Sequence, residues 1–196
     1  MMKYLPILLT LALLLGLYTG CGAKEPDISL FDEVCSADES LEKAKESNVV
    51  VMEGLRCTSG KAVWDAFFKA VSAGKSARVL CAHYYTLDPE RVSPELYARE
   101  KDQYPKLFFY LVEYDGETYT VKVRLSDERE LDYEDTFPYL LHFTGKAPRN
   151  AAYDTYDNYV LLDDPTATME GIWAGIVSSQ ANAGYHHCIL YQDITG

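Results

Sequence analysis

Three groups of residues in this 196-residue chain are of types that could do chemistry. The first is Gly54-Leu55-Arg56-Cys57-Thr58-Ser59-Gly60-Lys61-Ala62, set between a β-branched run and an amphipathic stretch, where a phosphate-cradling loop belongs. The spacing does not fit: five residues separate the two glycines, one more than such a loop has, and Ala62 stands where a hydroxyl would have to reach a magnesium ion. The segment therefore reads as a strand–helix loop with capping residues, and no nucleotide is expected. The second is His186-His187-Cys188, which puts imidazole and thiol side by side. Consecutive residues of a strand face opposite ways, so these three cannot converge alone, and His83 or His142 could join them only through tertiary contact. A thiol nucleophile at Cys188 or Cys81 also needs an activating base within hydrogen-bond reach, and no local signature supplies one. The third group is acidic: Asp127-Glu128, Asp132 to Asp135, and Asp163-Asp164. Paired carboxylates can serve glycoside hydrolysis or calcium, but no cluster carries the glycine of a calcium loop. The clusters read as solvated loops. No catalytic residue, metal ligand or cofactor is assigned.

Tyrosine is the one unusual abundance, with 16 residues. Its broad apolar face and polar tip suit recognition surfaces. Tyr97, Tyr104, Tyr133, Tyr153 and Tyr156 fall outside the segments with a strand pattern, which nominates them as binding residues. The competing reading is cross-strand packing of most tyrosines within a sheet. Cys35, Cys57, Cys81 and Cys188 follow no metal or redox spacing, and their disulfide state is left open. A formal net charge of −12 argues against nucleic acid and against electrostatic adhesion to anionic lipid.

The elements that must position these residues follow from periodicity. Val49-Val50-Val51-Met52 is a compact buried strand. Trp64, Phe67, Phe68 and Val71 recur as one helical stripe within Gly60 to Ala73, closed by Gly74. Arg78 to Thr86 alternates as a strand, with Val79, Cys81, His83 and Tyr85 on one side. A charged excursion bracketed by Pro89, Pro94 and Pro105 follows, with room for a helical turn or two. Leu107 to Tyr114 and Thr118 to Leu125 then form a hairpin through Asp115-Gly116, whose residue types suit a type I′ turn. Strands are expected at Tyr139 to Phe143, Tyr159 to Leu162 and His187 to Ile194. Between the last two, Thr168 caps a helix carrying Met169, Ile172, Trp173, Ile176 and Val177. The order β-α-β, excursion, hairpin, β-β-α-β predicts an α+β fold with a mainly antiparallel sheet and both helices packed on it.

The N-terminus has the three parts of an export signal: Lys3, the apolar run Leu5 to Tyr18, and small residues leading to Cys21. Leu17-Tyr18-Thr19-Gly20-Cys21 resembles the lipobox of bacterial lipoproteins, with Tyr18 where that family usually has Leu. The resemblance implies that residues 1–20 are removed and that Cys21 carries lipid at the extracytoplasmic face of the membrane. Residues 21–47 are then expected to be a tether with a short helix at most, and 48–196 a single domain. The Asn-Val-Val-Val strand, the aromatic helix, Tyr84-Tyr85 and the Tyr114-Asp115-Gly116 hairpin resemble small lipoproteins of Gram-positive bacteria whose domain has no assigned function. That likeness carries no activity and no catalytic residue. The expected function is a non-catalytic binding or accessory module of the cell envelope, its partner an envelope protein or cell-wall ligand. Two alternatives stay open: an envelope hydrolase acting on wall or peptide substrates, and a structural or regulatory partner of a membrane protein.

Overall fold

In a computed structural model of the protein, residues 26–149, 151–178 and 184–196 are described, and Cys21 with the whole export signal lies outside them. The described residues hold four α-helices and nine strands. Their order is α1 (Ala37–Glu46), β1 (Val50–Glu53), β2 (Arg56–Ser59), α2 (Lys61–Ser72), β3 (Ala77–Tyr85), α3 (Pro94–Glu100), β4 (Lys106–Tyr114), β5 (Tyr119–Leu125), β6 (Tyr133–Phe137), β7 (Tyr139–Lys146), β8 (Thr155–Leu162), α4 (Met169–Ile176) and β9 (His187–Thr195). Six strands form one sheet in the order β2-β1-β3-β4-β5-β6, and three form a second, β7-β8-β9. The β1–β3 pair is parallel and every other pair is antiparallel, so the fold is α+β and mainly antiparallel.

Three buried layers hold the strands. The largest lies between the two sheets: Val50, Met52, Val79, Cys81, Val121 and Val123 from the first meet Tyr159, Leu161, Leu190 and Tyr191 from the second, with Trp64, Phe67 and Val71 of α2 between them. Trp64 is wholly buried, edge-on to Tyr159 at 5.0 Å and stacked on Tyr191 at 5.2 Å. Each such side chain contributes about 1.5–3 kcal/mol when fully buried. A second layer covers the opposite face of the six-stranded sheet. Leu30, Leu41 and Ala44 pack there on Val49, Val51, Leu80, Ala82, Leu107 and Phe109. The third sits under the three-stranded sheet, where Met169 and Ile172 of α4 meet Val160 and Leu162.

Several expectations need correction. The stretch read as tether is part of the packed body upstream of Asn48, because Leu41 and Ala44 of α1 close the second face of the large sheet. For the same reason β3 is buried on both faces rather than on one. The two stripe-bearing helices do not share a sheet: α2 lies in the central layer and α4 on the small sheet. Ile176, at the end of α4, is 55% exposed. Periodicity missed β2 and β6, both short and mostly polar on their outward faces. Gly54-Leu55 is the tip of the β1–β2 hairpin, so the segment with phosphate-loop features is not a simple strand–helix loop. It ends at Gly60, whose φ of +76° and position over β1 admit no side chain: a Cβ would stand 2.1 Å from the Val49 carbonyl oxygen. The β4–β5 hairpin forms, but Tyr114 pairs with Tyr119, which centres the turn on Gly116-Glu117. Asp115 accepts from the amides of Glu117 and Thr118, both at 2.8 Å, and that side-chain bonding shifts the turn away from type I′ at Asp115-Gly116.

Candidate functional site

Tyr97 and Tyr104, two of the five nominated tyrosines, converge. Ser93 caps α3 by accepting from the Leu96 amide, and Pro94 occupies the first turn, so this short helix has a fixed start. It carries Tyr97 to a cleft of about 300 Å³ that also holds Tyr104, Lys101, Asp38, Tyr84, Thr86 and Leu87. Tyr84 points here because it alternates with His83 and Tyr85, which face the central layer. Its hydroxyl donates to Asp38 Oδ1 at 2.7 Å. Burial, then the Asp38 carboxylate beside it, pushes the Tyr84 phenol up to about 12, so it stays a donor at neutral pH. Lys106 lies 5.4 Å above the Tyr104 ring. The result is a polar cleft with three phenol rings, a carboxylate and an ammonium.

The other three tyrosines serve elsewhere. Tyr133 lies on β6, not in a loop, and its hydroxyl sits 3.1 Å from Cys188 Sγ. Tyr156 lies on β8 and is 9% exposed, edge-on to Trp173 at 5.0 Å. Tyr153 is half-buried against the same layer. Tyr153 and Tyr156 belong to the packing of the third layer, while Tyr133 is 38% exposed on the edge strand β6 and away from the other nominated tyrosines. Sequence reasoning missed Asp38, because α1 was placed outside the folded body, and Tyr84, although strand alternation pointed it outward.

The histidines do not assemble a catalytic set. His186 Nε2 meets Asp135 at 2.8 Å and its Nδ1 lies 4.0 Å from Asp163, so both nitrogens face carboxylates rather than the thiol two residues on. His142 pairs with Asp157 at 2.7 Å and stacks on Tyr159. His187 faces the Tyr185 carbonyl. His83 is enclosed in the central layer, between the Leu190 carbonyl and the Tyr85 hydroxyl. Among the described residues no imidazole hydrogen-bonds a serine or cysteine. Burial raises Cys188 to about 11 and pushes Cys81 further still, so both thiols are protonated and unreactive at neutral pH. All four downstream cysteines are free. Among the described residues no group of three His, Cys, Asp or Glu side chains could hold a metal ion, and no helix is long and apolar enough to cross a membrane.

A second, larger cleft of about 650 Å³ runs along α2, lined by Ala62, Ala66, Phe67 and Ala70, with Arg78 and Glu113 on the facing strands. Its walls are mainly apolar and its chemistry differs from that of the tyrosine cleft.

In comparison with known proteins, the chain matches no family model, no curated protein and no solved structure.

Proposed function

We propose that this chain is a lipoprotein of the bacterial cell envelope, held at the extracytoplasmic face of the membrane through Cys21, and that its domain is a non-catalytic module binding a saccharide of the cell wall. The observation that carries the binding reading is the convergence of Tyr84, Tyr97 and Tyr104 with Asp38 and Lys101 in one cleft. Phenol rings offer flat apolar faces to the C–H faces of a sugar, while their hydroxyls, the carboxylate and the ammonium can exchange hydrogen bonds with its hydroxyls. No histidine lines this cleft, which supports a binding role over histidine-assisted hydrolysis there. The anchoring part rests on the sequence of residues 3–21 alone.

Titration of the purified chain with soluble cell-wall glycan fragments tests the site. Tyr97→Ala and Tyr104→Ala should each weaken binding about tenfold, the scale of a buried aromatic contact. Unchanged affinity in both variants would remove the tyrosine cleft from consideration. Labelling of cells with a fatty-acid analogue tests the anchor separately, since Cys21→Ala should abolish incorporation.

A further inference from the structure

We infer that Cys35 and Lys43 form a covalent modification site, in which hydrogen peroxide oxidises the thiol and the amine then closes an S–N bond across the start of α1. Three observations lead there. First, the two reacting atoms are held together: Lys43 Nζ lies 3.1 Å from Cys35 Sγ. Cys35 sits just ahead of α1, where its amide donates to the Ser126 carbonyl at 3.0 Å and the next residue, Ser36, caps the helix. Lys43, two turns on, is held by Glu33 at 2.9 Å and by Glu39 at 3.0 Å. Second, a small oxidant can reach the pair, because Cys35 is half-buried and the Lys43 side chain is 38% exposed. Third, no thiol competes. Cys57, Cys81 and Cys188 pack in the central layer, whereas α1 covers the opposite face of the large sheet. A sulfenic acid condenses with a neighbouring thiol or nitrogen, and here the neighbour is the Lys43 nitrogen.

The chemistry balances with one equivalent of peroxide. The sulfur attacks a peroxide oxygen and the O–O bond breaks, giving Cys35 sulfenic acid and water; sulfur loses two electrons and peroxide gains them. Lys43 then passes one ammonium proton to Glu33 or Glu39, its nitrogen attacks the sulfur, and the S–O bond breaks. The hydroxyl leaves with a further nitrogen proton as a second water, and a sulfenamide remains. Hydrogen bonds to Glu33, Cys35 and Glu39 favour the ammonium form of Lys43, so condensation rather than oxidation is the slow step.

Peptide mapping tests this directly. The purified full chain is treated with hydrogen peroxide under native conditions, its remaining thiols are alkylated, and it is digested with trypsin. Trypsin does not cut after a substituted lysine, so the link should appear as a peptide of residues 25–45. That peptide should be unalkylated at Cys35 and lighter by two hydrogens. Dithiothreitol added before alkylation should restore the ordinary peptide of residues 25–43. Lys43→Arg keeps a cation for Glu33 and Glu39 but removes the amine, so its Cys35 should persist as a sulfenic acid that dimedone traps. Peroxide treatment in urea, which separates the pair, should lower the yield of link about tenfold or more. A native chain in which Cys35 becomes dimedone-labelled or sulfinic with no linked peptide would overturn the proposal. An equal yield of link in urea would do the same, since the folded geometry would then play no part.

Discussion

Arg124, in the second face of the large sheet, donates its Nε–H to the backbone carbonyl of Phe31, 93 residues earlier, and lies 5.4 Å from the centroid of that residue's ring. Its remaining N–H groups reach the carbonyls of Leu30 and Glu33 on one side and of Leu125, Ser126 and Glu128 on the other. The side chain is 2% exposed, and backbone oxygens rather than a carboxylate satisfy it. One planar, five-donor group thus ties the segment ahead of α1 to the β5–β6 turn. Burial pulls its pKa below the usual arginine value, and the carbonyl cage is what keeps the charge tolerable.

Replacing Arg124 by Met keeps much of the volume but leaves those carbonyls without donors. Each buried polar group that loses its partner costs about 1–3 kcal/mol, and some will find water as the segment lifts, so a loss of about 3–5 kcal/mol is expected. Arg124→Lys should recover no more than half, because an ammonium has three donors and no fork. Urea unfolding reads the loss, and limited proteolysis should show new cleavage within residues 26–46. A Met variant with wild-type stability and no new cleavage would mean that the segment is held by Leu41 and Ala44 alone.

The aromatic and aliphatic stripes were legible in sequence as helices, but which members are buried was not. Phe67 is 4% exposed and Ile172 0%, while Ile176 is 55% exposed. Phe67→Ala and Ile172→Ala should therefore each cost ~2–5 kcal/mol, and Ile176→Ala less than about 1 kcal/mol. Matched urea midpoints with an unchanged slope would show this ordering. A large loss at Ile176 would place a covering element over the end of α4.

The burial of these stripes shows where the sequence was informative. Strands with β-branched runs and helices with an apolar stripe can be recognised because the periodicity itself is the folding signal. That signal is absent from α1, whose exposed face is charged and whose buried face is only Ser40, Leu41 and Ala44. It is absent from β6 too, a polar edge strand placed by its pairing with β5. The candidate cleft was half legible. Tyr97 and Tyr104 stood out by residue type, but their partners Asp38 and Tyr84 come from positions about 60 and 15 residues away. Only the docking of α1 on the large sheet brings the four together, and the residues that fix that docking include Arg124, which carries no periodic signal.

The thiols give a test of the layering. Cys35 and Cys57 are half-buried, whereas Cys81 is fully buried and Cys188 is 6% exposed. A thiol reagent added to the native protein should modify Cys35 and Cys57 first, and Cys81 and Cys188 only when urea opens the central layer, since both exposure and thiolate formation are suppressed there. Cys35 should react before Cys57, because burial raises the Cys57 thiol while the Cys35 sulfur meets the Lys43 ammonium at 3.1 Å. Peptide mapping of the modified positions against time gives the order. Early modification of Cys81 would show that the two sheets separate in the native state.

The pH dependence of stability should carry the signature of one residue, His83. It is 3% exposed, and its ring lies 4.3 Å from that of Tyr110. Nε2 faces the Leu190 carbonyl at 2.9 Å, so it must carry the proton of the neutral ring and donate it. Nδ1 is then an acceptor for the Tyr85 hydroxyl at 3.3 Å. A second proton has no place in this pocket, and burial lowers the pKa from 6.5 to about 4, opposed only in part by the Leu190 carbonyl. The sign follows from proton counting. Below pH 6.5 the unfolded chain takes up a proton at this position that the folded one refuses, so protonation favours unfolding. Stability should be flat above about pH 6.5, fall progressively as pH drops towards 4, and lose nothing further from this residue below that. The full loss is about 3 kcal/mol, from 1.36 kcal/mol for each pKa unit between the two states. Carboxylates such as Asp27 and Asp115, held below their usual range by hydrogen bonds from Ser29 and from the Thr118 amide, lose their contributions at lower pH, near and below their ordinary value of 3.8. His83→Gln keeps a donor for the Leu190 carbonyl and removes the titration. Urea unfolding of both proteins at intervals from pH 7.5 to pH 4 should show a slope in the native protein that the variant largely lacks. Parallel curves would mean that His83 accepts its proton in the folded state, with water or an acidic side chain reaching the pocket.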